Sequence, residues 1–584
     1  MVMGLGFASA AAAVPTSVPV AASSAVSACG NPRTPGSSPR EITDGGGGVT
    51  YFVADDGRHG HELWKSDGTE SGTLLVKDIT PGAGSYDDAP SYLTMAGETL
   101  FFTADDGVHG RDLWRSDGTS QGTLLVRDLP TVGSYGPLRL TAVGDSLFFT
   151  QAGKDEGREL WTSDGTAGGT VLVRDINPGR ANSRVSSMTA VGETLFFTAR
   201  DGSHGRELWT SDGSEAGTVM VKDIQPGDGA EYYTERPQGL TAVGDRLFLL
   251  ADDGVHGQEL WVSDGTEAGT VLVKDIRPGE LDTYGREPTA VGDQVYFTAR
   301  DGVHGHELWV SDGTEVGTTL VADLTPGVRA DPPRTLAAVG SELFFVLDTN
   351  DGPTLWSTDG SEPGTALISA TGPPAYEGYS YYPLPAEAGG KLFFTGYDAD
   401  TGYELWVSDG TEAGTAVVRD IVPGRRPGSA SLRELTDVGG TLMFIADDGL
   451  RGPELWSSDG TEAGTTLVKD VNVGALFGLR PPRAVLRFGT LKVPAWLQAA
   501  GRLTVAPVAG SPIRRQTIDV TKPGQVTLTI APTDEGERQL KRALRKARRQ
   551  GGSIGKMRVS ARVTFAPCSG PGTSLVRRYT LKLR

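Results

Sequence analysis

The sequence predicts an all-β chain: a β-propeller of nine four-stranded blades, or eight and a stray repeat, followed by a small β-sandwich-like domain carrying one basic helix. Three observations predict it. Trp64, Trp114, Trp161, Trp209, Trp261, Trp309, Trp356, Trp406 and Trp456 recur at intervals of 47 to 52 residues, and self-similarity at that period marks a repeat architecture. Each repeat holds four runs of 4 to 7 residues rich in Val, Leu, Phe, Thr and Trp, bounded by Gly, Asp or Pro-Gly, which read as short strands joined by tight turns. Finally, neighbours such as Leu260 and Trp261 are both apolar, although successive strand side chains point to opposite faces. Such a strand needs cover on both sides, which adjacent blades of a ring provide. An open solenoid would call for polar capping repeats, and the repeats show none.

Taken in order, residues 1–28 form a signal-peptide-like segment. It is rich in Ala, Ser and Val, with an apolar run over 2–14 and small-residue options such as Ala8-Ser9-Ala10, but it lacks a basic start. The run is too short to span a bilayer, and no other stretch qualifies, so no transmembrane segment is expected. Val26-Ser27-Ala28-Cys29 also reads as a lipoprotein acylation site, a reading weakened by Pro15 and Pro19 just upstream. Cys29 and Cys568 are the two cysteines, a disulfide candidate in an exported chain.

Residues 38–471 are the propeller. The unit is clearest over 240–279: Leu240-Thr241-Ala242-Val243 leads to Gly244-Asp245, then Leu247-Phe248-Leu249-Leu250-Ala251, Asp252-Asp253-Gly254-Val255-His256-Gly257, and Glu259-Leu260-Trp261. Gly244-Asp245 and Asp264-Gly265 supply positive φ at low cost, and Pro278-Gly279 stops the fourth strand. Blade 7 is the weakest copy: Thr354 replaces the acidic residue, and an insertion over 371–390 follows. From 472 to 584 the pattern changes to alternating strands at 490–493, 502–505, 516–520, 525–530, 557–565 and 577–583, with a basic helix over 537–549.

The net charge of −19 hides an asymmetry, for residues 472–584 hold 22 Lys+Arg and 4 Asp+Glu, leaving 32 basic and 69 acidic residues elsewhere. An acidic body repels nucleic acid, so no nucleic-acid partner is expected.

In a propeller the loops between second and third strands share a face with the blade-to-blade connections. Those connections hold most of the tyrosines, including Tyr232, Tyr233, Tyr284, Tyr376, Tyr379, Tyr381 and Tyr382. Tyrosines in loops rather than strands suggest a contact surface; the blander reading is that they cover the loop bases. His59, His61, His109, His204, His256, His304 and His306 all fall in the Asp-Asp-Gly loops. Spread one or two to a blade, they read as turn histidines bonded to backbone rather than as zinc ligands. The pairs Asp55-Asp56, Asp105-Asp106, Asp252-Asp253 and Asp447-Asp448 could offer oxygens to calcium, the one cofactor weighed, but a complete site needs six to eight, and tight turns demand the same residues. No metal site is assigned. Glu62, Glu159, Glu207, Glu259, Glu307, Glu404 and Glu454, with Asp112 in blade 2, recur too regularly to be a catalytic acid and read as scaffold. No catalytic residues are assigned, since no Ser/His/Asp order, phosphate loop, CxxC or HExxH motif occurs.

The phrase Glu-Leu-Trp-x-Ser-Asp-Gly-Thr-x-x-Gly-Thr, at 259–270, 307–318, 404–415 and 454–465, resembles the bacterial ELWxxDGT repeat proteins. Blades 2, 4 and 7 depart from it at Asp112, Ser214, Thr354 and Ser361. The resemblance implies a secreted or surface-attached propeller of poorly defined activity and brings no catalytic residues with it. The expectation is therefore an exported, monomeric, non-enzymatic propeller that acts as a binding scaffold for a polysaccharide, cell-wall polymer or surface protein, its basic tail (Lys541, Arg542, Arg545, Lys546, Arg548, Arg549) drawn to anionic wall polymers. The alternative is a secreted polysaccharide-acting hydrolase or lyase with its site on the same loop face.

Overall fold

The computed structural model describes residues 36–472 apart from 82–86, 130–135, 228–236, 280, 325–331, 351, 375–382 and 423–428, and from 477 to 583 the strands, the helix and some of their connections. Contacts divide the chain into two compact units, one running from Arg33 to Gly474 and the other holding Ala475–Arg584.

The first unit is a nine-bladed propeller. Its nine sheets each take four consecutive strands in meander order. Blade 1 sets the pattern with β1 (Arg40–Asp44), β2 (Thr50–Asp55), β3 (His61–Ser66) and β4 (Leu74–Lys77), and Phe52 pairs with Trp64 and Val53 with Leu63 across β2 and β3. First strands of neighbouring blades touch one another around the ring, so they are innermost and line the channel, and fourth strands lie outermost. β2 is a continuous apolar run because both its faces are covered. Tyr51 and Val53 pack with Phe102, Ala104 and Trp114 of blade 2, while Phe52 and Ala54 pack with Met443, Ile445 and Leu455 of blade 9. The blade-1 to blade-9 core closes the ring.

The recurring Ser-Asp-Gly-Thr-x-x-Gly-Thr phrase is a self-contained hydrogen-bonded turn. In blade 1 Asp67 Oδ1 accepts from Thr69 N and Oγ1, at 2.9 and 2.6 Å. Ser66 Oγ accepts from Gly68 N, and Thr73 Oγ1 donates to Thr69 O. Gly68 sits at φ +83, and a Cβ on Gly72 would meet the Asp67 carboxylate at 1.9 Å, so both glycines are obligatory.

No strand is exchanged between the first and last blades, and the closure is fastened by the backbone bond from Ser38 N to Pro453 O at 3.2 Å together with side chains. Ser37 donates its N and Oγ to the Glu454 carboxylate, at 2.8 and 2.5 Å. Lys469 Nζ donates to Thr73 O at 2.6 Å. The lysine contact repeats an inter-blade rule, in which a cation on the fourth strand donates to the carbonyl of the last threonine in the next blade's turn. Lys77 does so to Thr123, Arg127 to Thr170, Arg174 to Thr218, Lys222 to Thr270, Lys274 to Thr318 and Arg419 to Thr465. In blade 6 Ala322 stands at that position.

Among the described residues the second unit contains two four-stranded sheets and one helix. Its strands Gly501–Pro507, Gln516–Val520, Gly555–Pro567 and Thr573–Leu583 form one sheet. The helix, α1 (Asp534–Arg549), starts at Thr533, whose side chain accepts from Gly536 N, and carries acids in its first turn and Lys546, Arg548 and Arg549 in its last, the arrangement the helix dipole favours. Among the described residues no helix is long and apolar enough to cross a membrane.

Candidate functional site

Three sets of polar residues recur near the loop face, and they differ in what they leave free. The first is the glutamate before Leu-Trp. Glu62 lies buried, its Oε2 accepting from Ile79 N at 2.8 Å and its Oε1 from Thr80 N at 3.1 Å. Asp112 takes Leu129 N, Glu159 takes Ile176 N, and Glu454 takes Val471 N. These carboxyls brace the exit of the fourth strand, where the backbone leaves its ladder with amides to satisfy. Burial, the largest influence, pushes Glu62 up to about 7 and Glu259, Glu404 and Glu454 up to about 8. Each is engaged as a scaffold through at least one such amide.

The second set is the Asp-x-x-His turn. Asp253 Oδ1 accepts from Val255 N and His256 N, and its Oδ2 pairs with His256 Nδ1 at 2.8 Å. His59, His109, His204 and His304 repeat this with Asp56, Asp106, Asp201 and Asp301. Burial acts the other way on Asp253, but the two amides and the imidazole hold it below the usual carboxylate range; the bond to Asp253 in turn raises His256. The expected backbone partner of these histidines is thus replaced by an aspartate side chain. His61 and His306 also depart from expectation: they open third strands rather than sitting in the loops. Burial, then Arg300 and Arg286, press His306 down to about 4. Among the described residues no group of three or more His, Cys, Asp or Glu is placed to hold a metal ion.

The third set is where the blades cease to be copies. Near the start of its first strand, at the loop-face end of the channel, every blade except the eighth carries a bulge. The bulged residue has positive φ: Glu41 (60°), Tyr92 (58°), Arg139 (59°), Ser187 (52°), Thr335 (58°) and Glu434 (48°), with Gly239 (62°) in blade 5. Glycine is the low-cost residue there, and a left-handed non-glycine costs about 1–2 kcal/mol. Only blade 5 uses glycine. Of the others, Ser187 and Thr335 are small, whereas Glu41, Tyr92, Arg139 and Glu434 are large or charged, and strain kept in this way is a mark of functional positions. The same ring carries opposite charges in neighbouring sectors. Glu434 and Glu41 belong to blades 9 and 1, Tyr92 and Arg139 to blades 2 and 3. Behind Arg139, Arg158 Nη1 donates to Gly136 O and Thr150 O, at 3.2 and 2.9 Å, and burial followed by the Arg139 charge presses its pKa down. Arg111 is held likewise by Thr103 and Ala89.

Two of the bulge residues show what the position does chemically. Glu434 Oε2 accepts from Ile42 N of blade 1 at 3.0 Å, and Glu41 Oε2 accepts from Leu93 N of blade 2 at 3.3 Å. Each carboxylate reaches across a blade boundary to the amide following the next bulge. Sequence reasoning passed over this ring, although a trace was there: in the first-strand phrase the residue before the apolar-Thr pair changes from blade to blade (Glu41, Tyr92, Arg139, Ser187) while its neighbours repeat.

Of the tyrosines expected to form a contact surface, Tyr284 is described. It is 43% exposed and stacked by the Arg300 guanidinium at 5.5 Å. Tyr232, Tyr233, Tyr376, Tyr379, Tyr381 and Tyr382 lie outside the described residues, as do Cys29 and Cys568.

No known family model matches the chain, and no curated protein matches it. Solved structures do resemble it. A puromycin hydrolase S511A mutant complexed with PGG is 14% identical over 62% of this chain and 59% of its own, with a TM-score of 0.33. One of two prolyl endopeptidases is 13% identical over 65% of this chain and 54% of its own, with a TM-score of 0.34. A Mycobacterium tuberculosis puromycin-hydrolyzing peptidase is 12% identical over 62% of this chain and 58% of its own, at 0.32. The chain thus spans between half and three fifths of the length of these proteins, and the likeness concerns the fold. The solved structures that resemble the chain are named as hydrolases and peptidases, and the expectation of a non-enzymatic binding scaffold is withdrawn together with its polysaccharide-cleaving alternative.

Proposed function

We infer that the propeller receives peptides at the loop-face end of its channel. The observation that supports this is the bulge ring: strained positions that could hold glycine instead carry Glu434 and Glu41 in one sector and Tyr92 and Arg139 in the next. A peptide is the common ligand with a cationic and an anionic end on an extended backbone, and neighbouring acidic and basic sectors suit both. A channel walled by protein focuses such charges, so they act more strongly than on an open surface. Innermost strands are also sheet edges, and an edge can pair with an extended backbone. The named neighbours fall in the same substrate class, but the reading stands on the charges.

The test is fluorescence anisotropy of labelled short peptides against the full chain at low and high salt, with mass spectrometry of the same mixtures after incubation. Saturable binding that weakens with salt and is reduced by Arg139→Glu supports the reading, and cleavage products would add hydrolysis to it. Binding absent at low salt, or unchanged in Arg139→Glu, would overturn it.

A further inference from the structure

The glutamates of the bulge ring act as internal ligands, and the blades lacking them define a subsite. At the seams from blade 9 to blade 1 and from blade 1 to blade 2 the rule is that the bulge residue of one blade faces the amide following the bulge of the next, and the recurring bulge carries the same rule on to blades 3 and 4. Where that residue is glutamate, its carboxylate takes the amide: Glu434 takes Ile42 N, and Glu41 takes Leu93 N. The next two amides in line belong to Leu140 and Met188, and the bulge residues preceding them are Tyr92 and Arg139. Neither carries a carboxylate. Tyr92 is 43% exposed, Arg139 is exposed beside it, and both lie close enough to influence the charge of Arg158. At this stretch of the channel wall the chain offers the amide geometry that accepts a carboxylate elsewhere, adds a guanidinium, and supplies no carboxylate of its own.

We propose that blades 2 to 4 form a carboxylate subsite in which a ligand's carboxylate takes, at Leu140 N or Met188 N and beside Arg139, the place that Glu41 and Glu434 fill in the preceding blades. Charge-assisted bonds from amides and guanidinium are the strong class of hydrogen bond, and the phenol of Tyr92 supplies a flat wall for the group bearing the carboxylate. This rests on the peptide reading and deepens it: the recognised group is a C-terminal carboxylate or an acidic side chain.

The substitution that tests it most directly is Tyr92→Glu. By the rule above it gives blade 2 the carboxylate that blades 1 and 9 have, so the new side chain occupies Leu140 N. Binding of an amino-terminally labelled tetra-alanine with a free carboxyl terminus is compared with that of its amidated twin, on the full chain. The expected result is at least tenfold weaker binding of the amidated peptide and a similar loss for the free peptide in Tyr92→Glu, with the melting temperature held or raised. Arg139→Gln should lose most of the preference and Arg139→Lys keep part of it. Free and amidated peptides binding alike would overturn the subsite while leaving peptide recognition intact. If neither peptide binds, succinate is titrated by calorimetry: saturable binding lost in Tyr92→Glu upholds the subsite without the peptide reading, and no saturable binding overturns both.

Discussion

Lys469 on the outermost strand of blade 9 reaches Thr73 O in blade 1 at 2.6 Å, the same bond that Lys222 of blade 4 makes to Thr270 of blade 5 at 2.8 Å. The closure is thus chemically the same as an internal seam, although no peptide chain tethers it. Removing the cation should cost about 1 kcal/mol at either seam by the usual worth of a single hydrogen bond. Lys469→Met should also raise the rate of local opening more than Lys222→Met, because at the internal seam covalent continuity keeps the blades together. Hydrogen exchange at blades 1 and 9 measures this, and equal rates in the two variants would contradict it.

The buried glutamates set a pH dependence. Glu62, Asp112, Glu159 and Glu207 are raised to about 7, and Glu259, Glu404 and Glu454 to about 8, burial being the first cause in each. A carboxyl whose pKa is higher folded than unfolded holds more protons in the fold between the two values, so its stabilising effect is complete in acid and lost as pH rises to 7–8. Unfolding midpoints in urea should therefore fall from about pH 5 to pH 8. Glu259→Gln, which keeps a carbonyl acceptor for Arg277 N, should flatten that slope by on the order of 1–3 kcal/mol. A variant with the full wild-type slope would mean that this carboxyl is already ionised in the fold.

The loop aspartates titrate the other way. Against opposing burial, amides and imidazole hold Asp253 and Asp301 below the usual range, so their stabilisation is present above the ordinary carboxylate pKa and disappears in acid. Asp253→Ala strips acceptors from Val255 N and His256 N and should cost about 1 kcal/mol, as loss of an N-cap does. His256→Ala should cost much less, since it leaves both amide bonds to Asp253 in place. Thermal melts of the two variants in parallel decide, and a larger loss for the histidine would refute the assignment of the aspartate as the turn's anchor.

Tyr92→Gly should stabilise the fold by up to about 1 kcal/mol through relief of the left-handed backbone while weakening peptide capture. A variant both less stable and fully competent would show that Tyr92 serves packing.

Much of the propeller was legible because its instructions are local and repeated. Expected strands such as 49–53 correspond to observed Thr50–Asp55, and the blade-7 irregularity at Thr354 is real, the threonine bonding Leu347 O and Trp356 Nε1 in place of a glutamate brace. The scaffold role of Glu62 could be inferred from its recurrence, but its partner could not, because Ile79 N lies 17 residues on and an amide leaves no mark in the sequence. The bulge ring was hidden for a related reason. Positive φ is usually signalled by glycine, and here Glu41, Tyr92, Arg139 and Thr335 adopt it instead. The expected contact tyrosines were chosen by composition, whereas the ring differs through a backbone state that composition does not encode.

The Ser37–Glu454 link has a topological consequence. Because every blade is built from four consecutive strands and the two ends meet without exchanging a strand, residues 36 and 472 face each other, with Asn472 Nδ2 at 3.4 Å from Gly36 O. The propeller is a circle that happens to be cut between blades 9 and 1. Joining those ends with a short glycine linker and opening the chain in the exposed turn after Val243 would move the cut without altering a blade.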